Sequence, residues 1–535
     1  MRQKLWLLLG LIFFAAACQQ PTLTPTPTVE NTPVAAAPPT STPTAAPTLT
    51  PPPSPTHIPL LPSDLAGSWI GGYVLPDQPA NQGYLVLTLN AEGDTLTGQI
   101  FYPLAMQRHP VTDLTLAAGE MTFAAGSLQV TLAPDGAALK GTVTQGQATS
   151  PFHLLRLGEA TPESLSVYTG LYAAADDHII GLYIGDNQFW VRDFQTGRMG
   201  ILRPLADGTF LLGSGLQLYY PFVATLTFTA DNTGQINTLT WTPGDGSAPV
   251  TASRIPPTYS QEEVTFSNGD VTLAGTLLIP EGPGPHPATV MIHGSDPARR
   301  TSGFYRAWAD WLVHQGLAVL LYDKRGVGDS TGRYAEFASD SNLDNLAGDA
   351  LAGVQMLKTR PEIDPARIGI QGPSQAGWVG PRIAAQSPDV AFMVMLVGPT
   401  VSPSQESLQE QLEVQRRLGA NSLTDEEITT QILAAGPSGF DPVDYLEPLT
   451  IPVLWLYGGR DRSIPTYASM AILEQLDKPN FTIELFPTGN HGLFDAQTGW
   501  DDEFPYLPGA VPGLFTTIET WLAEVVFKEP LAASR

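Results

Sequence analysis

Residues 367–376 read R-I-G-I-Q-G-P-S-Q-A: a short apolar run drives into a Gly-x-Ser-x-small turn and continues as Gly377-Trp378-Val379 into an alanine-bearing helical pattern. A strand-to-helix turn this sharp holds its central residue in strained backbone geometry and tolerates only small neighbours, so the hydroxyl of Ser374 is expected to stand clear of a sheet edge. The chemistry such a placement serves is nucleophilic attack on a carbonyl.

A serine in that role needs a base, and the base needs an acid to orient it; on a strand-turn-helix scaffold these follow in the order Ser, Asp or Glu, His. Of the eight histidines only His491 lies beyond Ser374. It sits in the turn-rich P-T-G-N-H-G of residues 487–492, just after the strand-like F-T-I-E-L-F of residues 481–486. For the acid, the apolar run I-P-V-L-W-L-Y at 451–457 has the length of a buried strand and ends in G-G-R-D-R-S-I-P, which sets Asp461 at a strand's carboxyl end. Asp495, a short step past His491, is the rival acid. The expected roles are Ser374 as nucleophile, His491 as base and then acid, and Asp461 as the group that fixes the imidazole tautomer.

The apolar A-T-V-M-I of 288–292 opens into His293-Gly294-Ser295, where a glycine lets backbone approach a ligand. Two backbone donors for a developing oxyanion are expected there and after the nucleophile: Ser295 N–H and Gln375 N–H. His293 precedes the serine and is expected to brace its loop.

His293-Gly294-Ser295, the D-K-R-G-V-G-D-S of 323–330 and the G-P-S-Q-A-G of 372–377 together resemble the motifs of an α/β-hydrolase, in the serine esterase and prolyl-oligopeptidase-like (dienelactone hydrolase-like) branch. The resemblance covers about residues 258–530. It implies a doubly wound, mostly parallel sheet, hydrolysis of carboxylic esters through an acyl-enzyme, and no cofactor. Pro373 and Ala376 depart from the His and Gly many relatives carry; proline at 373 means that the turn does not use that N–H.

The rest of this segment alternates strand and helix patterns. Trp308, Trp311 and Trp378 are expected to pack helices on the sheet rather than to stack on substrate, and Asp323 and Arg325 to order their loop. The polar, Gln- and Glu-rich residues 402–447 have helical periodicity and are expected to form a lid.

Upstream, residues 64–160 and 161–257 read as two small all-β modules, with β-rich runs broken by Asp, Asn and Gly turns such as E-G-D at 92–94 and P-D-G at 134–136. They are expected to act as a spacer or a wall of the site entrance, or alternatively to bind a polymer or the cell envelope. No repeat of blade length suggests a propeller. Residues 19–63 are almost all Pro, Thr, Ala and Ser, a composition that cannot bury a core and that suits a disordered tether.

Residues 1–18 carry Arg2 and Lys4 before a short apolar run and resemble an export signal; Ala15-Ala16-Ala17-Cys18 resembles a lipobox, with Cys18 lipidated and holding the chain on a bacterial membrane. The same alanines would serve ordinary cleavage and release a soluble protein. Cys18 is the only cysteine, so no internal disulfide forms. With 26 basic against 52 acidic side chains the net charge is −26, which disfavours nucleic acid as a partner. No metal-ligand cluster, P-loop or dinucleotide fingerprint appears, so the expected partner is a small-molecule ester. Oligopeptide cleavage, and a binding protein that uses the β modules without catalysis, are the competing readings.

Overall fold

The structure, a computed structural model, describes residues 60–527 apart from 76–82, 104, 176–177, 186–187, 219, 257–258 and 336–337. The expected export signal, Cys18 and nearly all of the tether lie outside the described residues. The tether's expected end shifts slightly: a helical turn, Pro62–Leu65, begins inside it, and the indole N–H of Trp69 donates to the Leu65 carbonyl at 2.9 Å.

Two β units precede the C-terminal domain. The first is a nine-stranded antiparallel sheet whose opening strand, Gly67–Gly72, pairs on one side with Leu85–Glu92 and on the other with the closing strand, Ala148–Arg156. Alternation sets its core: Leu85, Leu87 and Leu89 are buried on one face and pack with Ile100, Leu132, Val143 and Phe152. The second is a closed eight-stranded barrel from Gly170–Ala173 to Val250–Arg254, sealed where Tyr172 meets Arg254. Tyr172, Leu182, Phe189, Val191, Leu226 and Leu239 fill it.

The C-terminal sheet contains β1 (Tyr259–Asn268), β2 (Val271–Pro280), β3 (His286–Met291), β4 (Ala318–Tyr322), β5 (Ile363–Pro373), β6 (Phe392–Leu396), β7 (Val453–Gly458) and β8 (Phe481–Phe486). Their order is β1-β2-β4-β3-β5-β6-β7-β8; β3 to β8 run parallel and the β1–β2 hairpin joins antiparallel. The central strands are apolar along their length, β4, β6 and β7 being buried at every residue, because helices cover both faces. These helices include α1 (Gly303–His314), α2 (Asp340–Lys358), α3 (Ala376–Gln386), α7 (Thr466–Leu476) and α8 (Leu514–Leu522). This is an α/β-hydrolase fold.

Between β6 and β7, where a lid was expected, stand α4 (Pro403–Arg417), α5 (Asp425–Ala435) and the short α6 (Val443–Leu446). Capping boxes start α4 and α5: Ser402 with Gln405, and Thr424 with Glu427. Trp308 and Trp311 do pack inward, but much of what they meet lies outside the sheet. Trp311 stacks on Phe194 of the barrel and both indoles contact Phe515 of α8.

Candidate active site

The elbow forms where β5 ends. Ser374 has φ of 55°, a left-handed conformation that is costly for a residue with a side chain. The strain is held from both sides: Ser374 N–H donates to the Leu396 carbonyl of β6 at 2.9 Å, and Gly377 N–H donates to the Ser374 carbonyl at 2.8 Å. Gly377 lies so close to the Gly398 backbone that a side chain at 377 would collide with it, which explains why the second residue of α3 is a glycine. The N–H absent at Pro373 is not required, because the next residue makes the link to β6.

The loops after β7 and β8 bring the other two groups to the serine. Gly459 N–H donates to the Phe486 carbonyl and Arg460 N–H to the Gly489 carbonyl, both at 2.8 Å, so the two loops are tied together. His491 Nε2 then lies 3.1 Å from Ser374 Oγ, and His491 Nδ1 lies 2.8 Å from Asp461 Oδ2. Asp461 has a fully buried side chain whose other oxygen accepts from the N–H groups of Ser463 and Ile464 at 2.8 and 3.0 Å. With that carboxylate able only to accept, the proton of the neutral imidazole resides on Nδ1 and leaves Nε2 free to take the serine's proton. Asp495, the rival acid, makes no such contact with His491 among the described residues; its N–H donates to the Gly509 carbonyl at 2.9 Å. Burial pulls the His491 pKa down, but the charge and hydrogen bond of Asp461, helped by Glu406 and Asp501, outweigh it and hold the imidazole above its ordinary value.

The expected oxyanion donors flank the serine. A side-chain carbon on Gly294 would sit 3.6 Å from Ser374 Cβ, so this loop passes directly beside the nucleophile. Gly294 N–H is engaged by the Tyr305 hydroxyl at 3.0 Å. Among the described residues the N–H groups of Ser295 and Gln375 have no protein acceptor, and the latter opens α3, where helix N–H groups point outward. His293 is a brace: its Nε2 meets the Tyr322 carbonyl at 2.8 Å, and burial pushes its pKa down to about 3. Asp323 accepts from the N–H groups of Arg300 and Asp329, while Arg325 forms a two-pronged ion pair with Asp349 at 2.6 Å, so both order their loop.

Two residues at this site carried no assignment in the sequence. Glu406, in the first turn of α4, is the nearer: burial, then the charge of Glu410, raises its pKa to about 7, with His491 opposing and Asp461 adding. The capping box at Ser402 and Gln405 marks a helix start, but no local pattern tells that the next residue faces the imidazole. Lys324 is the other. Its ammonium is sealed under the 294–296 loop and donates to the carbonyls of Gly294 and Asp296 at 2.6 and 3.3 Å and to Gln375 Oε1 at 3.2 Å.

Residues 304–504 match the prolyl oligopeptidase family. The chain is 28% identical over 272 residues to the esterase EstD of Thermotoga maritima, a match that covers 45% of this chain and 63% of that one. It is 25% identical over 267 residues to the acylamino-acid-releasing enzyme of Rattus norvegicus, covering 46% of this chain and 34% of that enzyme. The matches thus span less than two thirds of either relative. Among solved structures, an esterase of Pyrococcus furiosus aligns with 50% of this chain and 92% of its own, at 18% identity and a TM-score of 0.37.

Proposed function

We propose that the C-terminal domain, with its α/β-hydrolase fold, is a serine hydrolase of carboxylic esters with small or medium acyl chains. The observation that carries this reading is the hydrogen-bonded chain from Ser374 through His491 to Asp461 at 3.1 and 2.8 Å. As Ser374 Oγ attacks the ester carbonyl carbon, its proton passes to His491 Nε2 and the carbonyl oxygen takes up the negative charge. Ser295 and Gln375 N–H donate to that oxygen. When the tetrahedral intermediate collapses, the C–O bond to the alcohol breaks and His491 returns the proton to the departing oxygen, leaving the acyl group on Ser374. Water, deprotonated by the same imidazole, then releases the acid and restores the serine.

The similarity to the prolyl oligopeptidase family favours a second reading, cleavage of short peptides. Against it, the upstream residues fold as a single antiparallel sheet and a closed barrel rather than as the radial blades of a propeller. We further propose export, with Cys18 lipidated and the Pro/Thr-rich residues serving as the tether to a membrane.

A fluorophosphonate is expected to label Ser374, and Ser374→Ala to abolish both labelling and turnover of a nitrophenyl acyl ester, by about 10⁴ to 10⁶ in kcat. Turnover that survives this substitution refutes the reading. Peptide substrates that outrun esters in the same assay would select the peptidase.

A further inference from the structure

Lys324 is 1% exposed, yet no carboxylate lies within ion-pair reach of it among the described residues. Its three ammonium protons are matched by three oxygens, none of them charged: the Gly294 and Asp296 carbonyls and the Gln375 side chain. Burying a cation on neutral oxygens is expensive, and an apolar side chain would fill the same space at less cost. What singles out the arrangement is which oxygens are held. The Gly294 carbonyl and the Ser295 N–H belong to one conjugated amide, so a charged donor on the oxygen draws electron density from the nitrogen and strengthens the N–H as a donor. The same ammonium grips Gln375, the residue whose N–H is the second oxyanion donor. Both walls of the oxyanion site are therefore anchored on one atom, Lys324 Nζ.

We propose that Lys324 is the positioning residue of the oxyanion site, clamping the Gly294–Ser295 peptide to Gln375 and polarising it, so that the two N–H groups are fixed before negative charge develops on the substrate. This rests on the serine hydrolase reading and on Ser295 and Gln375 as its donors. The residue touches neither substrate nor Ser374; it acts through the amide in front of it. The groups facing the ammonium are the Asp296 carboxylate, neutral His293 and the Tyr334 ring at 5.6 Å, while the protonated Tyr305 hydroxyl, from the first turn of α1, takes the Gly294 N–H. Burial, partly opposed by Asp296, lowers the lysine pKa to about 8, so the clamp is charged at neutral pH and is lost as the pH rises through that value.

The test uses the full chain with a nitrophenyl acyl ester and a trifluoromethyl ketone, which forms a tetrahedral adduct on the serine. Lys324→Met is expected to lower kcat by about 10- to 100-fold, somewhat less than loss of an oxyanion donor itself. KM should stay within about threefold, and ketone affinity should fall in step with kcat/KM. In the wild type, kcat should decline above about pH 8. Lys324→Arg, whose charge persists, should move that limb to higher pH while keeping more activity than Lys324→Met. A folded Lys324→Met with wild-type kcat, or a loss confined to KM, overturns the proposal. If neither variant folds, Gln375→Met, which removes the clamp's side-chain oxygen and keeps the backbone donor, decides: wild-type kcat refutes the clamp. Failure of the underlying reading is seen separately, as turnover that survives Ser374→Ala.

Discussion

At the scale of single residues, the behaviour of the site with pH follows from who surrounds His491. The imidazole must be neutral to accept the serine's proton, and its pKa lies above the ordinary value of about 6.5 because Asp461, Glu406 and Asp501 outweigh burial. Activity is therefore expected to be lost as pH falls through a midpoint above 6.5, read as the acid limb of kcat/KM. Burial and Glu410 raise the Glu406 pKa to about 7, so its charge grows as the pH rises through neutrality. Glu406→Gln removes that charge and should move the limb to lower pH by up to about one unit, the ordinary scale of an environmental shift. An unmoved limb would mean that Asp461 alone sets the imidazole. The serine, histidine and aspartate were legible in the sequence because each stands where an apolar strand breaks into glycine-rich punctuation. Glu406 was not, because a charged residue on a polar helix looks the same whether it faces solvent or an imidazole.

At the scale of elements, α4 and α5 are fastened to the loop that carries Asp461. Glu413 of α4, 1% exposed, accepts from Arg416 at 2.5 Å and from Arg462 at 3.3 Å, and Asp425 at the start of α5 accepts from the same two guanidinium groups at 2.7 and 3.0 Å. Arg462 follows Asp461 directly, so the cluster links α4 and α5 to the loop holding the acid. Removing one partner from a buried ionic group leaves the others poorly compensated and costs about 3–5 kcal/mol. For Glu413→Gln the lower end of that range is expected, since Asp425 still receives both arginines. The expected result is faster proteolysis within residues 402–447 and a fall in kcat/KM, with the sheet's own unfolding little changed. A protease pattern identical to wild type would show that apolar packing, not charge, seats these helices. The existence of these helices could be read from their periodicity, whereas their fastening could not, because it joins residues on separate segments that no local pattern connects.

At the scale of the whole molecule, the barrel is built into the support of the histidine loop. Met199 and Leu216 N–H groups donate to the Pro508 and Leu507 carbonyls, and Leu216, Met199, Phe494 and Leu507 form one buried cluster just beyond His491. The strand and turn rhythm of the β units was visible in the sequence; closure of the second into a barrel was not, since it depends on pairing its first strand with its last. Nor did any pattern mark the barrel's outer face, where Arg192 is 2% exposed over the rings of Phe194, Trp308 and Phe515 at 5.7 to 5.9 Å. Among the described residues its Nε and Nη1 have no hydrogen-bond partner, and burial pulls its pKa down. Ring contacts with a desolvated cation return about 2 kcal/mol, whereas taking the charge out of water costs several. Arg192→Met keeps most of the volume and removes the charge, so it is expected to be neutral or to stabilise by about 1–4 kcal/mol, measured as a higher urea midpoint at unchanged slope. Arg192→Ala removes the packing as well and should lower the midpoint. If Met also lowers it, the guanidinium holds the barrel on the hydrolase domain through its rings and its neighbour Tyr183, and the charge is a fastening between the two units.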